Sequence, residues 1–84
     1  MTIKKSVLYQ RVADLANLAT QINIKNMKYF VNVFIKGETN YVIVTVRKRL
    51  DNTEVFKKPI SIEDTDQVLD QLLKVYEILE SKFL

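Results

Sequence analysis

The chain has no cysteine, no histidine and no tryptophan, and only one glycine and one proline, in 84 residues. Without thiols or imidazoles, Ser-His-Asp and Cys-His nucleophile arrangements, histidine general bases and tetrahedral zinc sites are all excluded. Neither disulfides nor zinc can reinforce a fold this small, which buries only about 60–65% of its unfolded surface. Apolar packing must supply the stability, within the chain or against a second copy, and 48% of the residues are hydrophobic. The lone Gly37 rules out a glycine-rich phosphate loop. Long apolar runs are also missing. Met1-Thr2-Ile3-Lys4-Lys5 leads into a segment broken by Gln10, Arg11, Asp14 and Asn17, which argues against a signal peptide or membrane span. The expectation is one small domain over residues 1–84, cytoplasmic and non-enzymatic, with no catalytic residues, metal, cofactor or membrane association.

What the chain does contain is a hairpin with both faces written out. Residues 28–36 (KYFVNVFIK) and 41–49 (YVIVTVRKR) are rich in Val, Ile, Tyr and Phe, and flank Gly37-Glu38-Thr39-Asn40. A four-residue loop sets Lys36 opposite Tyr41, Ile35 opposite Val42, Phe34 opposite Ile43, Val33 opposite Val44 and Val31 opposite Val46. Alternation then makes one face aliphatic: Tyr29, Val31, Val33, Ile35, Val42, Val44 and Val46. The other face carries Phe30, Asn32, Phe34, Tyr41, Ile43 and Thr45 with Lys28, Lys36, Arg47 and Arg49. A one-residue slip would invert the partition, so the register is strongly specified.

A third strand is expected at about 53–60, after a turn at Asp51-Asn52, two residues that tolerate left-handed backbone. A two-residue turn puts Arg49 opposite Glu54 and Phe56 on the aromatic and basic face. A three-residue turn puts Phe56, Ile60 and Ile62 on the aliphatic one. Pro59 and its neighbours Lys57 and Lys58 mark this strand as an edge. Residues 3–22 read as an amphipathic helix through Leu8, Val12, Leu15, Ala16, Ala19 and Ile22, widened by Val7 and Leu18, with Thr2 or Ser6 as candidate cap. Its end falls at Gln21–Asn26. A second helix is expected from a Ser61 cap to about Lys82, with Glu63, Asp64 and Asp66 at its positive end and Asp70 paired with Lys74. The fold class is α+β, in α-β-β-β-α order, a three-stranded antiparallel meander packed on its aliphatic face by two helices.

Charge is unevenly distributed. Residues 1–60 hold 11 Lys or Arg against 4 Asp or Glu, and residues 61–84 hold 2 against 6. This predicts either an electrostatic face for a polyanion or a basic sheet neutralised by an acidic helix. The candidate nucleic-acid contacts are Lys28, Lys36, Arg47, Arg49, Lys57 and Lys58, with Phe30, Phe34, Tyr41 and Ile43 as stacking platform or protein interface. An Arg49–Glu54 ion pair is the structural alternative for Arg49. The acids Glu63, Asp64 and Asp66 suit a helix N-terminus without any metal.

Residues 54–73 (EVFKKPISIEDTDQVLDQLL) resemble the last strand and helix of single-stranded-DNA-binding transcriptional coactivator domains, in which a curved basic strand runs into a capped, dimerising helix. The resemblance spans the C-terminal third, and the chain departs from that family in its leading helix and in having one strand fewer. An exposed face with two Phe, a Tyr and an Ile is large for a monomer, which predicts a homodimer or a constitutive partner. Two functions follow: a dimeric nucleic-acid-binding accessory or regulatory protein that takes DNA or RNA, or a protein-interaction module that takes a protein partner and has no nucleic-acid role.

Overall fold

A computed structural model describes residues 5–37, 40–62 and 66–84. Helix α1 spans Lys5–Lys25, strands β1, β2 and β3 span Tyr29–Lys36, Tyr41–Lys48 and Glu54–Ser61, and helix α2 spans Asp66–Phe83. The strands form one antiparallel sheet in the order β1-β2-β3. The α-β-β-β-α order and the α+β class match the expectation from sequence. Thr2, the capping hydroxyl of Ser6, and the acidic pair Glu63-Asp64 lie outside the described residues.

The hairpin register is the one that alternation specifies, with Lys36 opposite Tyr41, Phe34 opposite Ile43 and Val31 opposite Val46. Gly37 does not carry the left-handed backbone of this turn. Asn40 does, at φ 53°.

The second turn is longer than either sequence-based alternative. The Lys48 N–H donates to the Thr53 carbonyl, and the Asn52 N–H to the Lys48 carbonyl, both at 2.9 Å. Asn52 sits at φ 62°, in the left-handed region that Asn tolerates. The Asp51 carboxylate accepts from the Thr53 N–H at 3.0 Å, and hydrogen bonding to Thr53, side chain first and then backbone, holds its pKa below the ordinary 3.8. Val55 is then inserted as a bulge between Arg47–Glu54 and Val46–Phe56. Glu54 therefore pairs with Arg47, not Arg49, while Phe56 and Ile60 lie on the aliphatic side opposite Val46 and Val42. Ser61 also departs from expectation. It ends β3 opposite Tyr41, and Ile62 donates to the Asn40 carbonyl, so Ser61 is a strand residue and not a helix cap.

Both helices cover the aliphatic face. Leu8, Val12, Leu15, Leu18, Ala19 and Ile22 of α1, and Val68, Leu72, Val75 and Leu79 of α2, are buried against Val31, Val42, Val44, Val46 and Ile60. Three residues of the expected α1 and sheet sets fall outside this core: Val7, Ala16 and Ile35. Ala16 is exposed, its place on the α1 stripe taken by Leu18, and Ile35 is 68% exposed at the far end of β1. The molecule is a helix layer on a sheet layer, with principal extents of 43 × 24 × 16 Å. Among the described residues no element forms a layer over the other face of the sheet.

One corner fastens the layers together. The Asn23 side chain, at the end of α1, acts as a short surrogate strand. Its Oδ1 accepts from the Val31 N–H at 2.6 Å and its Nδ2 donates to the Val31 carbonyl at 2.9 Å. Asn26 accepts from the N–H groups of Lys28 and Tyr29 and donates to the Phe83 carbonyl at the end of α2. The Tyr29 and Phe83 rings meet edge to face, 5.2 Å between centroids.

Candidate nucleic-acid interface

Strand alternation builds the open face row by row. Tyr41 lies between Lys36 and Ser61, Ile43 between Phe34 and Pro59, Thr45 between Asn32 and Lys57, and Arg47 between Phe30 and Glu54. Arg49 follows opposite Lys28, to which its N–H donates. Among the described strand residues and Arg49, the face thus carries Lys28, Lys36, Arg47, Arg49 and Lys57 against one acid, Glu54. Lys58, opposite Val44, belongs to the other side of the sheet. The structure brings together five of the six cations singled out from sequence and leaves Lys58 out.

Of the four candidate interface residues, Phe34 is 54% and Tyr41 40% exposed, while Phe30 and Ile43 are half-buried. Phe34, Ile43, Thr45, Arg47 and Lys57 line a shallow depression of about 380 Å³. Thr45 is buried at its floor, and its hydroxyl has no hydrogen-bond partner among the described residues.

The two arginines differ in role. Arg47 donates to the Asn52 carbonyl at 3.1 Å and stands 3.5 Å from the Glu54 carboxylate, half-exposed and loosely held. Arg49 is tied down. Its Nε donates to the Asn26 carbonyl at 3.1 Å and its terminal nitrogen to the Asn23 carbonyl at 2.7 Å, and its guanidinium lies 5.9 Å from the centre of the Phe30 ring. These carbonyls belong to the C-terminal end of α1, where a helix has unsatisfied acceptors and a negative dipole end. Arg49 is therefore a helix-capping residue contributed by the β2–β3 turn, and it covers Phe30. That corrects the sequence-based ion pair with Glu54. Arg49→Ala is expected to lower stability by about 1 kcal/mol, and Arg49→Lys to recover little of it, because an ammonium lacks the fork that reaches two carbonyls. Urea denaturation checks both, and an unchanged midpoint for Arg49→Ala would contradict the capping role.

Among the described residues no ion pair links α2 to the sheet: the pairs are Arg11–Asp14 within α1, Asp70–Lys74 within α2 and Arg47–Glu54 within the sheet. Helix α2, with exposed Asp70, Glu77 and Glu80, covers the opposite face. Its Asp70–Lys74 pair, at 3.1 Å, has the spacing expected from sequence. The exposed acids of α2 thus lie on the side of the sheet away from the cations of the open face.

No group of acidic residues among those described could hold a metal ion, and no helix is long and apolar enough to cross a membrane. No family model, curated protein or solved structure matches the chain. The chemistry of the face is therefore the guide to what it does.

Proposed function

We propose that this protein is a non-enzymatic, cytoplasmic binding protein that holds single-stranded nucleic acid on its open sheet face, as an accessory or regulatory factor. One observation carries the reading. Exposed aromatic rings and a surplus of cations share a sheet face over which no described element lies, while Asp70, Glu77 and Glu80 of α2 lie behind. A flat sheet with exposed rings suits splayed bases, which stack on aromatics, and cations beside them follow the phosphates. Phe34 and Tyr41 are the stacking residues of this proposal, and Lys28, Lys36, Arg47 and Lys57 hold phosphates. Arg49 acts through the fold and Phe30 lies beneath it, so neither is a principal contact.

Each stacked base is worth about 1–3 kcal/mol, so Phe34→Ala or Tyr41→Ala should weaken binding of a fluorescein-labelled single strand roughly 5- to 150-fold. Both side chains are already solvent-facing, so circular dichroism should stay unchanged. Retained affinity in both variants would remove the stacking role. The second reading, a protein partner on the same face, draws on the apolar row Phe34–Ile43–Pro59. It predicts no oligonucleotide affinity even at low salt.

A further inference from the structure

The ladder fixes where each backbone group of β1 points. Arg49 donates to the Lys28 carbonyl, so that carbonyl and the even-numbered residues of β1 after it bond inward to β2, and the odd-numbered ones turn outward. The outward groups that are filled lie at the start of the strand: the Tyr29 N–H by Asn26, and both groups of Val31 by Asn23. Past Val31 the filling stops. The outward N–H and C=O of Val33 and Ile35 have no partner among the described residues, and the side chain of Ile35 is 68% exposed. An unpaired, apolar strand edge is a template for another strand.

We infer that this stretch of β1 pairs with the same stretch of a second copy, antiparallel about a two-fold axis at Phe34, joining two three-stranded sheets into one of six strands. The register selects the occupant. Centred on Phe34, Val33 faces Ile35 of the second copy and Ile35 faces its Val33, so the free groups of these two residues are all matched by free groups. Centred on Val33, Ile35 would face Val31, whose groups Asn23 already holds. Centred on Ile35, Val33 would face Gly37, beyond the end of β1. The Phe34 register also sets the two Phe34 side chains side by side on the open face, where their rings remain available to a ligand, and sets Lys36 opposite Asn32, with no like-charge contact. The other edge of the sheet is guarded by Pro59, by the lysines at 57 and 58 and by the Val55 bulge. A β1-to-β3 contact is therefore disfavoured, and the association closes as a pair instead of running on as a filament. None of this depends on what the open face binds.

A single cysteine tests the register, because the chain has none of its own. Facing residues at Phe34 form a non-hydrogen-bonded pair with Cα atoms about 4.5 Å apart, within disulfide range. Phe34→Cys is expected to convert almost wholly to a disulfide-linked dimer under mild oxidant, while Asn32→Cys and Lys36→Cys, displaced from the axis, stay unlinked. Light scattering of the unmodified chain at high micromolar concentration should give twice 9.8 kDa. Ile35→Pro, which removes an outward N–H and leaves the inward ladder intact, should give the monomer mass with native circular dichroism. A monomeric unmodified chain would overturn the inference, and would leave the edge to a strand from another protein. So would equal cross-linking at all three positions, or a folded Ile35→Pro that still dimerises. If Ile35→Pro fails to fold, the cysteine series decides.

Discussion

Asn23→Ala is expected to destabilise the protein by about 2 kcal/mol, more than any other substitution of an uncharged polar side chain proposed above. Asn23 makes both hydrogen bonds of its amide to the backbone of Val31, at 2.6 and 2.9 Å, from a half-buried position between α1 and the edge of the sheet. Removing the amide leaves an N–H and a C=O unpaired beside the helix, at about 1–3 kcal/mol for each group that stays dry. Water reaches part of this site, which brings the gross loss for the pair to about 2.5 kcal/mol, toward the lower part of the summed range. Alanine gives back about 0.5 kcal/mol as the better helix former. Net stability for a chain of this length is of order 0.05–0.15 kcal/mol per residue, so a 2 kcal/mol loss is a large share of it. The melting temperature should fall by roughly 10 °C, at about 4–8 °C per kcal/mol for a domain of this size. Asn23→Asp keeps the acceptor for the Val31 N–H but sets a carboxylate against the Val31 carbonyl, and should be no better at neutral pH. Hydrogen exchange supplies the specific readout: the Val31 amide should lose protection in Asn23→Ala while those of Val44 and Val46, at the centre of the sheet, keep theirs. Full protection at Val31 with an unchanged midpoint would mean that Asn23 does not hold this edge.

This fastening shows what the sequence made legible and what it did not. The register of β1 and β2 followed from alternation and a four-residue loop, because a slip would move core valines such as Val31 or Val44 to the open face. The helices followed from their apolar spacing, and β3 was an edge because Pro59 and two lysines required it. The register of β3 was not readable, because it depends on the backbone of the Arg49–Asn52 turn and on a bulge at Val55 that no residue type announces. Lys57 and Lys58 could not be assigned to faces until that register was known, and then they separated. The role of Arg49 was hidden for another reason. It reaches carbonyls 23 and 26 positions back along the chain, a contact that exists only once α1 lies beside the turn. Asn23 and Asn26 were visible as turn formers at the end of a helix, but their partners, Val31 and Phe83, lie across a tertiary boundary.

The same reasoning sharpens the open face. Composition offered six cations and four apolar side chains as one undivided set. Packing separates them into residues free to contact a ligand, Phe34, Tyr41, Lys28, Lys36, Arg47 and Lys57, and residues occupied by the fold or turned to the other side, Arg49 with Phe30 beneath it, and Lys58.

The second large effect is the salt dependence of binding, and it tests the central claim most directly. Each phosphate neutralised on a single strand contributes about −0.7 to the slope of log affinity against log salt. With three or four of the free cations engaged, the slope should be roughly −2 to −3, so a tenfold rise in salt weakens binding by about 10²–10³. The measurement is fluorescence anisotropy of a labelled single-stranded oligonucleotide titrated with the protein across a range of potassium chloride concentrations. A slope near −2 to −3, lowered by about one when Lys36 and Lys57 are both replaced by glutamine, is the predicted result. No binding at the lowest salt, or an affinity indifferent to salt, would contradict a nucleic-acid role for the open face.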